Sequence, residues 1–125
     1  MNGRRIMVID DENIVGKMTK AVLEKDGYIV ETFLSAEPAL ARLKEQKFDL
    51  VITDLKMKGL DGMEVLKTVK AQSPEIKVIM ITAFASLDAA IGAMRGKVDD
   101  FFAKPVKIKE LKECIRRLLH EPPAS

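Results

Sequence analysis

The sequence predicts an α/β fold in which a doubly wound, five-stranded parallel sheet is covered by helices on both faces. Three observations support this prediction. Short apolar runs recur at about the spacing of a strand-plus-helix unit, helical patterns lie between them, and the first, third and fourth runs are almost continuously apolar. Continuous apolar runs are typical of parallel strands buried on both faces. Alternating strands and helices of this kind form an open, doubly wound sheet.

The five strands are predicted in segments that read RIMVID, YIVETF, FDLVITD, KVIMIT and, more weakly, DDFFAKP. The first helix is predicted over residues 13–25, and Gly27 marks its end. Its apolar residues recur at helical spacing, which predicts the following buried stripe: Ile14, Met18, Ala21 and Val22.

Four further helices are predicted after the later strands. The second covers 36–46 behind a Ser35 N-cap, the third covers 63–71 after Asp61-Gly62, and the fourth covers 87–95 after Ser86. Apolar spacing gives their inward stripes: Ala36, Leu40 and Leu43 in the second helix, Leu87, Ala90, Ile91 and Met94 in the fourth, and Ile108, Leu111, Ile115 and Leu118 in the fifth.

Length and charge limit the classes of function. The 125 residues, 47% of them hydrophobic, suit one domain with its own core. We expect a domain over 1–120 and a tail or linker start over 121–125, where two prolines break the last helix. The net charge of +2 comes from interspersed basic and acidic residues, so this domain is not expected to contact nucleic acid directly.

No apolar run reaches the roughly 20 residues that a membrane span needs, and the first strand begins too early to leave room for a signal peptide. The sequence therefore predicts a cytoplasmic protein that does not engage a membrane. Cys114 is the single cysteine, which excludes disulfides within the chain and cysteine-based zinc sites, and its apolar neighbours predict core packing.

Reactive side chains collect at the carboxyl ends of the predicted strands. Asp10 and Asp11 follow the first strand, Asp54 follows the third, Thr82 ends the fourth and Lys104 follows the fifth. Open α/β sheets bind their ligands at this edge. Three carboxylates there would repel one another and destabilise the fold, unless Lys104 and a divalent ion balance them. Oxygen ligands of this kind favour Mg²⁺.

These residue types suit phosphoryl transfer. An aspartate beside the ion can attack phosphorus and form an acyl phosphate, while the metal and Lys104 offset charge on the phosphoryl oxygens. Thr82 would donate a hydrogen bond to one of those oxygens. Each acid taken alone is more often a cap or loop carboxylate, but the joint pattern is far less expected by chance.

Taken together, these motifs resemble the receiver domain of two-component response regulators, over about residues 4–119. The resemblance rests on DD after the first strand, D followed by LKMKGLDG after the third, TA after the fourth and KP after the fifth. It implies a flavodoxin-like, three-layer (βα)5 fold with strand order 2-1-3-4-5. It also implies a signalling switch that catalyses its own aspartyl phosphorylation and dephosphorylation, not an enzyme with a separate substrate.

The resemblance assigns a role to each acid. Asp54 would be the phosphoacceptor, Asp11 a direct Mg²⁺ ligand, and Asp10 would hold the ion largely through water. Asp54 and the backbone carbonyl of Lys56 would complete the protein ligands, and Mn²⁺ would be able to replace Mg²⁺.

The resemblance also implies how phosphorylation is sensed. Thr82 and Lys104 would contact the phosphoryl group, and the Lys104–Pro105 peptide bond is expected to be cis. Thr82 and Phe101 occupy the positions of the family's switch residues, although Phe101 by its residue type alone is more simply a core residue. The responding face would comprise the fourth helix, the fifth strand and the fifth helix.

The implied partners are a histidine kinase as phosphodonor and an output domain or partner protein, with a phosphorylation-dependent homodimer as a further expectation. The stretch TAFASLDAAIGAM is similar to receivers that precede the ATPase modules of sigma-54-type transcription activators. Two residues depart from the family pattern: Lys58 stands where many receivers have proline, and Lys97 stands where a Gly-Ala pair often begins.

Three other classes fit less well. A Mg²⁺-dependent phosphatase with an aspartyl nucleophile usually carries a second acid two residues after it, where this chain has Lys56. A flavin-binding module would need a hydroxyl- and glycine-rich phosphate loop, whereas DDEN would repel the phosphate. A pseudo-receiver that only binds partners would usually lack part of this set of acids, threonine and lysine.

Overall fold

The structure is a computed structural model that describes residues 3–56, 61–83 and 85–121. One sheet of five parallel strands has the order β2-β1-β3-β4-β5, which confirms the predicted fold. The strands are β1 (Arg5–Ile9), β2 (Ile29–Phe33), β3 (Leu50–Thr53), β4 (Lys77–Thr82) and β5 (Asp100–Ala103). The helices are α1 (Asn13–Glu24), α2 (Ala36–Glu45), α3 (Gly62–Gln72), α4 (Leu87–Arg95) and α5 (Ile108–Leu118). The predictions about Lys58 and about tail residues 122–125 lie outside the described residues.

Both faces of the sheet are buried, as the continuous apolar runs predicted. Alternate residues of β1 enter two different clusters, with Met7 and Ile9 on one face and Ile6 and Val8 on the other. Helices α2, α3 and α4 cover the first face, and α1 and α5 cover the second. Cys114 of α5 is buried, as predicted. Burial, together with the hydrogen bond to Asp100, raises the pKa of its thiol to about 12.

The apolar stripe predicted for α1 is correct only at Val22, which is half-buried against the core, and is wrong at its other members. Ile14 is 68% exposed and Met18 63% exposed, whereas Gly16 and Leu23 are buried. A Cβ atom at Gly16 would lie 3.6 Å from the Thr32 Cβ atom of β2, so the helix approaches the sheet closely through this glycine. Glycine contributes nothing to apolar periodicity, which explains why the spacing of large side chains selected another face.

The inward stripe predicted for α4 is also wrong in its large members. Leu87 is 77% exposed and Met94 73% exposed, whereas Ala93 is fully buried. A Cβ atom at Gly92 would lie 3.1 Å from the Met63 Cε atom, which shows how closely α4 packs on α3. Small residues allow this close approach, and the large apolar side chains are left on the outer face of α4.

Side-chain caps mark the starts of α3 and α4. The side chains of Asp61 and Ser86 each accept a hydrogen bond of 3.1 Å from the backbone amide three residues later. Ser35 occupies its predicted N-cap position without a side-chain cap hydrogen bond. After α4, Lys97 has a φ of 66° and donates from its amide to the Met94 carbonyl at 3.0 Å. This left-handed position usually holds glycine.

The amino edge of the sheet, where the strands begin, carries a compact charge pair. Lys70 Nζ lies 2.8 Å from Asp99 Oδ2 and donates to the Ile76 carbonyl at 2.8 Å. The same Asp99 oxygen accepts a hydrogen bond of 2.8 Å from the Val78 amide, which ties α3 to the starts of β4 and β5. Within the described ranges, no helix is long and apolar enough to cross a membrane.

Candidate functional site

Three carboxylates meet at the carboxyl edge of the sheet. The pairing of Ile9 with Thr53 places the ends of β1 and β3 side by side, so that Asp10 and Asp54 follow adjacent strands. One carboxylate oxygen from each of Asp10, Asp11 and Asp54 lies within 4.8 Å of the others. Asp10 and Asp54 are buried and Asp11 is exposed, so the cluster opens toward solvent on one side.

Lys104 brings a positive charge into this cluster. Its Nζ atom lies 2.9 Å from Asp54 Oδ2, 3.0 Å from Asp10 Oδ2 and 3.4 Å from Glu12 Oε1. Burial by itself would lower the pKa of Lys104, but the hydrogen bonds to Asp54 and Asp10 outweigh it and the pKa is raised. The lysine therefore stays fully charged at neutral pH.

The remaining predicted residues lie on β4 and β5 or directly after β5. Thr82 is fully buried at the end of β4, and its carbonyl accepts a hydrogen bond of 2.9 Å from the Lys104 amide. The Lys104–Pro105 peptide bond is cis. Phe101 is half-buried and packs against the cluster under α2, α3 and α4, which satisfies its simpler interpretation as a core residue. Its switch role stays a prediction.

The residues fit a hard divalent cation. The charge of the three close carboxylates exceeds that of the Lys104 ammonium, which contacts two of them, and oxygen donors at this density suit Mg²⁺. Lys56 contributes in a different way, since its backbone amide donates to Asp54 Oδ1 at 3.2 Å. The role of its carbonyl as a metal ligand stays a prediction.

One wall of the site is apolar. A cavity of about 360 Å³ lies between α1 and α5 and reaches Asp54 and Lys104. Its walls are formed mainly by aliphatic side chains, among them Val15, Val22 and Leu111. Low-polarity surroundings strengthen electrostatic interactions, so the lysine is held more firmly against Asp54 than it would be in water.

Sequence reasoning missed two residues of the site. Glu12 contacts Lys104 and donates from its backbone amide to Asp10 Oδ1 at 2.9 Å. Gly62 packs directly on the backbone that follows β3, where its amide donates to the Leu55 carbonyl at 2.8 Å. A Cβ atom at position 62 would collide with the Asp54 carbonyl oxygen. In the sequence, Asp61-Gly62 indicated only the start of a helix.

Comparison with protein families identifies a match over most of the chain. The family model described as the response regulator receiver domain matches residues 6–116. The transcriptional regulatory protein ZraR of Salmonella typhimurium is 35% identical over 114 residues, which cover 91% of this chain. Those residues are 26% of ZraR, so the chain spans about a quarter of the length of this relative.

Solved structures agree with this match. A CheY-like receiver domain protein from Methanospirillum hungatei has a TM-score of 0.92 and 32% identity, covering 94% of each chain. The receiver domain of NtrC4, solved as a beryllofluoride-activated dimer, has a TM-score of 0.88 and 29% identity over 93% of this chain and 96% of that one. TrrA of Thermotoga maritima, solved with Mg²⁺ and beryllofluoride, has a TM-score of 0.84 and 30% identity over 92% and 98%.

Proposed function

The chain belongs to the response regulator receiver domain family of two-component signalling, and on this premise we propose that Asp54 accepts a phosphoryl group from the phosphohistidine of a histidine kinase. The observation that carries the proposal is the convergence of Asp10, Asp11, Asp54 and Lys104 at one edge of the sheet. It combines a nucleophile and an acidic metal pocket, whose carboxylate oxygens lie within 4.8 Å of one another, with a counter-charge 2.9 Å from Asp54.

The transfer is a direct displacement at phosphorus. An Asp54 carboxylate oxygen forms the new P–O bond as the P–N bond to the donor histidine breaks, and the imidazole nitrogen keeps the bonding electrons and takes up a proton. Lys104, which now bridges Asp10 and Asp54, would move one contact onto a phosphoryl oxygen. The Thr82 hydroxyl would donate to another. Hydrolysis of the acyl phosphate by water would return Asp54 to its free form and release phosphate.

Asp10, Asp11, Asp54 and the Lys56 carbonyl would hold Mg²⁺, with Mn²⁺ as a substitute. When bound, the ion supplies positive charge that offsets the charge on the phosphoryl oxygens. The chain's own part is to hold the carboxylates close together, which the adjacent ends of β1 and β3 achieve. The complex of TrrA with Mg²⁺ and beryllofluoride supports this assignment by similarity.

The outer face of α4, with β5 and α5, would be the surface that carries the signal to an output domain, a partner protein or a second copy of the chain. Its exposed Leu87 and Met94 form an apolar surface of the kind that protein contacts bury. The dimer of the activated NtrC4 receiver supports a phosphorylation-dependent homodimer.

We assign residues 1–120 to the receiver domain and 121–125 to a tail or linker, in a cytoplasmic transcription regulator of the sigma-54-activator type. The name of the relative ZraR, a transcriptional regulatory protein, supports the regulatory output.

The test is phosphorylation by acetyl phosphate, read by intact mass. With Mg²⁺ present, we expect the wild-type chain to gain one phosphoryl group and Asp54→Asn to gain none, because the amide is a poor nucleophile. Asp88→Asn, an exposed aspartate on α4, makes the same charge change and should label like wild type. Full labelling of Asp54→Asn at another residue would overturn the proposal.

A further inference from the structure

Glu12 is a fourth carboxylate at the site and has no part in the function proposed above. It is the residue before α1, and its side chain makes no cap hydrogen bond with that helix. Its Oε1 atom instead lies 3.4 Å from Lys104 Nζ, although the side chain is 62% exposed. The carboxylate therefore stands at the solvent side of the lysine that also contacts Asp54.

The charge of Glu12 alters the balance of the whole site. Asp10, Asp11 and Asp54 are offset by the ammonium of Lys104 together with one divalent cation, so this set is neutral when the ion is bound. Glu12 makes the site negative by one charge. Its oxygen and Asp54 Oδ2 lie within 3.4 Å of the same nitrogen, so they are less than twice that distance apart. That separation is shorter than the Debye length at physiological ionic strength.

We propose that Glu12 is a specificity-determining residue that slows phosphorylation of Asp54 by small anionic phosphodonors. This rests on the proposed function of Asp54. A free acetyl phosphate dianion must approach against the Glu12 charge, with only its phosphoryl group to hold it in place. A phosphohistidine carried on a protein has further contacts that offset the same repulsion. Glu12 thereby favours transfer from a protein donor over reaction with small metabolites of this class.

Three variants separate charge from shape. Glu12→Gln removes the charge, and Glu12→Asp keeps it. Glu24→Gln makes the same change in net charge at the far end of α1, twelve residues away and therefore about 18 Å along the helix.

The first measurement is the rate of Asp54 labelling by two donors, acetyl phosphate as the dianion and phosphoramidate as the monoanion. In each case the P–O or P–N bond to acetate or ammonia breaks as Asp54 bonds to phosphorus. We expect Glu12→Gln to react about threefold faster with acetyl phosphate at low ionic strength, with a smaller gain for phosphoramidate. The gain should vanish near 1 M salt, where the Debye length is about 3 Å. Glu12→Asp and Glu24→Gln should react like wild type.

The second measurement needs no turnover. By calorimetric titration, Glu12→Gln should bind Mg²⁺ about twofold more weakly and, at saturating Mg²⁺, bind beryllofluoride more tightly, because one ligand is a cation and the other an anion. Equal labelling rates for Glu12→Gln and wild type would overturn the proposal. A gain that persists in 1 M salt would also overturn it, since Glu12 would then act by positioning Lys104. If the wild-type chain is not labelled at all, the proposed function of Asp54 fails instead.

Discussion

The two edges of the sheet differ in their balance of positive and negative charge. At the amino edge, Lys70 and Asp99 form a one-to-one pair, and backbone groups complete their hydrogen bonds. At the carboxyl edge, the carboxylates of Asp10, Glu12 and Asp54 share the single ammonium of Lys104. The first arrangement is complete without any further ligand, whereas the second leaves an excess of negative charge.

The difference in charge balance indicates which edge of a sheet of this kind is functional. A balanced pair contributes to the stability of the fold, and removing either member leaves the other uncompensated. An unbalanced cluster lowers the stability of the free protein, and the proposed binding of a divalent cation would offset the excess negative charge. The edges should therefore respond in opposite ways to the loss of a charge.

The largest effect on stability is expected at the amino edge. Lys70→Met should lower the free energy of unfolding by about 2–3 kcal/mol, because Asp99, with a side chain 19% exposed, would keep its charge without a cation. Urea denaturation measures this change, and Mg²⁺ should not reverse it. Lys67→Met on the exposed side of the same helix should stay within about 0.5 kcal/mol of wild type. Equal losses in both variants would remove the contrast between the edges.

An intermediate effect of opposite sign is expected at the carboxyl edge. Without Mg²⁺, Asp54→Asn should raise the free energy of unfolding by about 1 kcal/mol, because the repulsion it relieves exceeds the lost contact with Lys104. Parallel urea titrations with saturating Mg²⁺ should show a smaller advantage, since an ion held by the proposed site would stabilise the wild-type fold. A variant less stable than wild type in both conditions would mean that this edge is as balanced as the other.

The smallest effect on stability is expected at Lys97, and it tests whether the amino edge contributes to stability alone. Lys97→Gly, in the turn between α4 and β5, should raise the free energy of unfolding by about 0.5–1 kcal/mol, because glycine adopts the φ of 66° without a Cβ penalty. Thermal or urea unfolding measures the gain, and phosphorylation should be unchanged. Lys97→Ala keeps the Cβ atom and should show no such gain. A similar gain in both variants would point to the lysine charge rather than to the backbone.

The sheet was predictable because its signal is carried by many residues at once. Each of the first, third and fourth strands is a run of buried apolar side chains, so an error at one position does not change the assignment. The inward faces of α1 and α4 were predicted largely wrongly because the closest approaches of these helices are made by Gly16, Gly92 and Ala93. Large side chains dominate a periodicity pattern, but small ones decide which face can approach a neighbour most closely.

The reactive side chains of the site were predictable, but Glu12, Gly62 and their contacts were not. Parallel strands bring their carboxyl ends to one edge, and Asp10, Asp54 and Lys104 meet there as expected. The contact of Glu12 with Lys104 depends on a side-chain conformation that joins residues 92 positions apart, and no local pattern encodes it. The sequence identified Lys97 as a departure from the family pattern but did not predict its left-handed backbone. That conformation follows from the hydrogen bonds that close α4.

The contact between Gly62 and the Asp54 carbonyl limits how this chain can diverge. Any side chain at position 62 would have to displace the backbone of Asp54, the proposed phosphoacceptor, and reactive groups tolerate displacements of only a fraction of an ångström. Mutations at this glycine would thus be filtered by the chemistry at Asp54 as well as by folding. On the proposed role of Asp54, we expect Gly62 to be under nearly the same evolutionary constraint as the nucleophile, although it has no side chain, and to accept no substitution.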